Sequence, residues 1–65
     1  MKVQYFPDTD TVLVTLNHQP VSQTKDLDEN TMLDLDSKSN LVSITIEHAR
    51  ERADITNFSF EQITA

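Results

Sequence analysis

Val12-Leu13-Val14-Thr15-Leu16-Asn17-His18 and, thirty residues further on, Val42-Ser43-Ile44-Thr45-Ile46-Glu47-His48 are two versions of one segment. In both, positions two apart point to the same side of an extended chain, so Val12, Val14 and Leu16 share one face, as do Val42, Ile44 and Ile46. A helix would crowd these β-branched side chains against the preceding turn. A polar turn precedes each segment, and before it lies a second short run: Val3-Gln4-Tyr5-Phe6 in the first copy, Leu33-Asp34-Leu35-Asp36 in the second. The repeated unit is therefore a β-hairpin, with strands expected over residues 2–6, 11–16, 31–36 and 41–47.

The turns carry residues suited to them. Pro7-Asp8-Thr9-Asp10 and Ser37-Lys38-Ser39-Asn40 preset φ or bond their own backbone. The chain contains no glycine, the residue that two-residue hairpin turns favour together with asparagine. Both turns are then longer types, or they hold Asp10 and Asn40 in the left-handed region. Between the hairpins, Pro20 bars a central ladder position. Residues 21–27 alternate weakly and read as a solvent-facing edge strand, with Lys25 as a charge that blunts edge pairing. Residues 49–53 are good helix formers but too few for an autonomous helix, so a single docked turn is expected. In the tail, Phe58 and Phe60 alternate as in a strand, whereas Ile55, Phe58 and Ile63 also suit a helix; the strand is the preferred reading. The fold class is α+β, mainly β: an antiparallel sheet of two pseudo-repeated hairpins plus a short C-terminal helical turn, in one small domain over residues 1–65.

An apolar set of Val3, Tyr5, Val12, Val14, Leu16, Leu33, Leu35, Val42, Ile44 and Ile46 lines one side of such a sheet, and one helical turn is too small to cover it. Phe58 and Phe60, a second copy of the chain, or both, are expected to complete the core. A domain of 65 residues is marginal alone and usually needs a disulfide, a metal or a partner subunit. The absence of cysteine excludes disulfides and thiolate metal sites. A homo-oligomer, dimer or larger, is the remaining solution. Eleven acidic against five basic residues give a net charge of −6, which disfavours nucleic acid and anionic membranes and suits a basic protein partner or simple solubility. The start of the chain lacks a signal-like segment and no apolar run is long enough to span a bilayer. A cytoplasmic location is the expectation.

Tyr5-Phe6-Pro7-Asp8-Thr9-Asp10-Thr11-Val12-Leu13-Val14-Thr15-Leu16 resembles the opening pattern Y-x-x-x-x-D-x-L-x-I-x-L of a family of small bacterial proteins known as domain of unknown function 2283. Leu33-Asp34-Leu35-Asp36 and Leu41 to Ala49 resemble its later segment, D-x-D-x-x-G-x-V-V-G-I-E-I-x-x-A-S. The resemblance runs from Met1 to about Ala53. It departs where the family has glycine, at Ser39 or Asn40 and at Ser43, which bears on the turn type. The resemblance implies a compact β-rich fold and supplies no catalytic residues. Some relatives are encoded beside small toxin-like proteins, which implies an antitoxin-like, partner-binding role.

Candidate chemistry is sparse. Asp34 and Asp36 with Ser37, Ser39 and Asn40 invite comparison with a calcium loop, but a register starting at Asp34 puts Lys38 at position 5 and Thr45 at position 12, where carboxylates are needed. Asp8, Asp10, Asp34 and Asp36 could bind a divalent cation if the two turns converged. His18 and His48 occupy equivalent places in the repeat, and His48 with Glu47 or Glu51 could serve as a general base. No Ser or Cys nucleophile or glycine-rich loop accompanies them, so the signal for an enzyme is poor, and no cofactor or metal is implied. His18, His48, Asp10 and Glu47 form the polar candidate set. Arg50 and Arg52, of a residue type enriched at interfaces, and Phe58 and Phe60 form the partner-binding set. The leading function is thus a non-enzymatic, self-associating interaction module, and the alternative is a small enzyme or divalent-metal-binding domain using the acidic turns and His48.

Overall fold

The β-branched runs become strands and the polar segments become turns. β1 (Lys2–Phe6), β2 (Thr11–Thr15), β3 (Gln23–Asp28), β4 (Thr31–Leu35) and β5 (Leu41–Glu47) are followed by one helical turn, α1 (Ala49–Arg52). The computed structural model describes residues 1–64. Its strands form one antiparallel sheet in the order β1-β2-β5-β4-β3. The two related hairpins, β1-β2 and β4-β5, meet through their second strands, and the weakly alternating segment is the outermost strand, as its composition requires.

Residues directly opposite each other in an antiparallel ladder lie on the same side of the sheet. The registers therefore sort the side chains without ambiguity. Val3, Val14, Ile44, Leu33 and Lys25 form one row across all five strands. Tyr5, Val12, Ile46, Thr31 and Asp28 form the next row on that side. The other side carries Lys2, Thr15, Ser43, Asp34 and Thr24 in one row, and Gln4, Leu13, Thr45, Met32 and Asp26 in another. Two irregularities interrupt the ladders. An extra residue on β5 near Leu41 and Val42 shifts the pairing with β4, and an extra residue on β3, Leu27, is pushed into solvent at the sheet edge.

Both hairpin turns are longer types. Four residues, Pro7 to Asp10, join β1 to β2, and five, Asp36 to Asn40, join β4 to β5. Asp10 is left-handed with φ 52°. In the second turn the left-handed residue is Ser39, φ 65°, not Asn40. The reason is the Asp36 side chain, whose Oδ1 accepts the backbone N–H groups of Lys38 and Asn40, each at 2.9 Å. Asn40 also accepts the Asp36 backbone N–H at 2.9 Å, so it continues the ladder and the bend falls one residue earlier.

The tail departs from expectation. Residues 54–64 form neither strand nor helix. Asp54 accepts hydrogen bonds from the Thr56 N–H and hydroxyl and from Asn57 Nδ2, local bonds that compete with ladder formation. Phe58 and Phe60 are 65% and 70% exposed, so within one chain they do not complete the core. Among the described residues the buried apolar ones are Val42 and Ala49, and no large side chain is fully buried. The molecule is a plate of 36 × 33 × 18 Å. No helix among the described residues is long and apolar enough to cross a membrane.

Candidate functional site

Because β2 and β5 run antiparallel, the turn that opens β2 lies beside the residues that close β5. Thr11 is opposite Glu47, and Thr31 is opposite Ile46. Three connections therefore meet at one end of the sheet: the turn holding Asp10, the Glu29-Asn30 turn between β3 and β4, and the entry to α1. Backbone bonds fasten them. The Ala49 N–H donates to the Asp10 carbonyl at 2.9 Å, and the Glu47 N–H donates to the Asn30 carbonyl at 2.7 Å.

The reversal from β5 into α1 is made by His48 in the left-handed conformation, φ 54° and ψ 44°. Its side chain does not cap the helix; Nδ1–H instead donates to Asn30 Oδ1 at 2.8 Å. The next residue, Ala49, is fully buried. Asp10 gathers the other side of the cluster. Its Oδ1 accepts the Tyr5 hydroxyl at 2.8 Å, and its two carboxylate oxygens accept the Arg50 backbone N–H at 3.2 and 3.3 Å. The Arg50 guanidinium stands 4.0 Å from Asp10 Oδ1 through Nε and 6.0 Å from the centre of the Tyr5 ring. Loss of solvent around the Tyr5 phenol, then the bond to Asp10, raise its pKa above the usual 10.0.

Arg52 makes a two-pronged pair with Asp28, NH1 to Oδ1 and NH2 to Oδ2, both at 2.9 Å. That fork is the geometry in which guanidinium and carboxylate bind best. The Arg52 bond, followed by the Asn30 N–H, holds the Asp28 carboxyl far below the ordinary carboxylate range. Arg52 itself is raised by Asp28.

The polar candidate set is thus divided. Asp10, Glu47 and His48 lie at the same end of the sheet, whereas His18 follows the far end of β2, where Asn17 Nδ2 donates to the Leu41 carbonyl at the start of β5. The two histidines lie beyond opposite ends of the central strands. The acidic turns separate for the same reason: Asp8 and Asp10 are at one end, Asp36 is at the other, and Asp34 sits mid-sheet with the Ser43 hydroxyl at 2.6 Å and the Thr24 hydroxyl at 2.7 Å. No group of three or more His, Asp or Glu side chains among the described residues is placed to hold a metal ion. The convergence on which a cation site or a paired-histidine site would depend does not occur.

The partner-binding set is divided as well. Arg50 and Arg52 remain solvent-exposed but their charges face Asp10 and Asp28. Phe58 and Phe60 lie beside β1, around a hollow of 310 Å³ that they share with Met1 and Val3. The residues absent from the sequence-based sets are Tyr5, Asp28 and Asn30. Tyr5 had a local signal, its place at the mouth of the turn ending in Asp10. Asp28 and Asn30 had none, since their partners are 24 and 18 residues away.

The family model described as a protein of unknown function, DUF2283, matches residues 2–50 of the chain. That span contains all five strands and ends inside α1, leaving the tail outside it. No curated protein matches the chain, and no solved structure does.

Proposed function

The chain belongs to the DUF2283 family, proteins of unknown function, and on that premise we propose that it is a non-enzymatic interaction module that associates with itself. The observation that carries this reading is the amount of surface left in water. A compact monomer of 7.4 kDa exposes about 4,200 Å² by the usual size scaling, whereas this chain exposes 5208 Å². Its radius of gyration of 12.9 Å likewise exceeds the roughly 11 Å of a compact chain of this length. Part of the excess lies on the tail, where Phe58 and Phe60 are 65% and 70% exposed, and part on the sheet, where Val3 is 37% exposed.

The divided candidate residues weigh against the alternative, an enzyme or cation-binding domain, because the acidic turns and the histidines occupy opposite ends of the plate. A net charge of −6, with Asp26, Asp34 and Glu47 on the polar side of the sheet, supports a basic protein as a second, antitoxin-like partner. Sedimentation equilibrium of the purified chain at micromolar concentration tests the main reading. A dimer or larger species is expected, and a single species with the mass of one chain removes it.

A further inference from the structure

We propose that the surface of association is the apolar side of the sheet, and that its occupant is the same surface of a second copy, giving a two-layer sandwich. The proposal rests on the self-association argued above and adds the face to it.

The two sides of the sheet differ in what they leave undone. On the polar side, the Ser43 and Thr24 hydroxyls both donate to the Asp34 carboxylate, so that row is satisfied as it stands in water. On the other side, Val3, Val14, Ile44 and Leu33 run apolar across four strands. Val3 is 37% exposed and the other three are partly exposed. Beyond β1 the apolar surface continues onto Met1, Phe58 and Phe60. Sheets bury such faces by stacking about 10 Å apart with aligned strands.

Area and charge both favour a second copy. The surface in excess of a compact monomer is about 1,000 Å², and a standard stable interface takes about 800 Å² from each partner. Two chains of charge −6 repel, so the least costly contact is one that excludes acids. The row from Val3 to Leu33 holds none and ends on Lys25. The acid that the register places on that side, Asp28, is neutralised by Arg52, and Asp26, Asp34 and Glu47 lie on the opposite side. Pairing through strand edges would leave the apolar row wet. It is further opposed by Lys25, Asp26 and the irregularity at Leu27 on the β3 edge.

The chain has no cysteine, so single substitutions report position cleanly. V14C places a thiol at the centre of the apolar side, L13C places one on the same strand but on the polar side, and Q4C marks the β1 edge. Each variant is treated with a short bis-maleimide and its mass is read under denaturing conditions. V14C is expected to double in mass while L13C and Q4C stay at one chain. If V14C lacks the wild-type circular dichroism, I44C replaces it, since Ile44 lies directly opposite Val14. A wild-type dimer in which the Val14 or Ile44 thiol stays unlinked overturns the face and leaves self-association standing. A wild-type monomer by sedimentation overturns both.

Discussion

Val14 and Ile44, equivalent residues of the repeat, are each other's direct partners across the central ladder. A residue that pairs with its own counterpart marks a pseudo-two-fold axis through the middle of the β2-β5 ladder. Leu13 and Ser43 obey the same relation, since Leu13 faces Thr45 and Ser43 faces Thr15. Every other matched pair in the repeat is sent to opposite sides of that axis. His18 and His48, and likewise Asp10 and Asn40, are kept apart by the same symmetry that makes them equivalent. The duplication builds a sheet and cannot build a paired site at its ends.

The left-handed residues give a sign test at neighbouring positions. Ser39 has φ 65°, whereas Asn40 is not among the positive-φ residues. A side chain in the left-handed region costs about 1–2 kcal/mol, and glycine removes that cost while losing about 0.5–1 kcal/mol through the unfolded chain. Ser39→Gly should therefore stabilise the protein by roughly 0.5 kcal/mol. Asn40→Gly has no such strain to relieve and should destabilise it by about 0.5–1 kcal/mol. Urea melts at one fixed protein concentration measure both, and equal signs would contradict the turn geometry.

The hairpin strands, the edge position of the segment read as 21–27 and found as Gln23–Asp28, and the helical turn were legible because each rests on local chemistry: β-branched alternation, a charged weakly alternating run, and a short run of helix formers. The site was legible only in part. Asp10, Glu47 and His48 were identifiable by type, but their separation from His18 depends on which hairpin strands meet, a long-range choice with no local signature. Asp28 could not be linked to Arg52 without the β3-β4-β5 order. The tail misled because alternating Phe58 and Phe60 look like a strand, while Asp54 ties the preceding segment into a turn of its own.

Tyr5 is the single tyrosine of the chain, so phenolate absorbance reports one group. Its folded pKa is raised above 10.0. The corresponding stability is fully present below pH 10.0 and is lost as pH rises through the folded value. The absorbance midpoint of the folded protein should lie above that of the urea-unfolded chain. Asp10→Asn keeps a residue tolerant of the left-handed region and an acceptor for the hydroxyl but removes the negative charge, so the midpoint should fall. An unchanged midpoint in that variant would separate Tyr5 from Asp10.

Asp28 makes the opposite prediction in acid. Its folded pKa lies below the ordinary 3.8, so its contribution is present above pH 3.8 and is lost as pH falls through the folded value. Carboxyl-carbon NMR should show Asp28 titrating below the ordinary aspartate value of 3.8. Arg52→Gln should move its midpoint upward, yet not fully to the ordinary value, because the Asn30 N–H and the Thr31 hydroxyl still favour the carboxylate. A midpoint that ignores Arg52 would show that the fork does not hold α1 to the sheet in solution.

Ile44 and Thr45 adjoin on β5 and face opposite sides of the sheet, Ile44 between Val14 and Leu33, Thr45 between Leu13 and Met32. The same carboxylate placed at each position therefore separates the two faces while changing net charge equally. Ile44→Glu puts a like-charged pair into the proposed apolar interface, where desolvating each ion costs several kcal/mol. Its dimer dissociation constant should rise at least about a hundredfold, roughly 2.7 kcal/mol. Thr45→Glu adds its charge to the side already carrying Asp26 and Asp34 and should leave the constant within about threefold, under 1 kcal/mol. Thermal melts over a concentration series supply a second reading, since coupling to association makes Tm rise with protein concentration. That rise should survive in Thr45→Glu and vanish in Ile44→Glu, with circular dichroism confirming the sheet in both. Equal weakening by the two substitutions would place the interface on neither face, because a contact confined to one side of a β-sheet must distinguish residues one position apart.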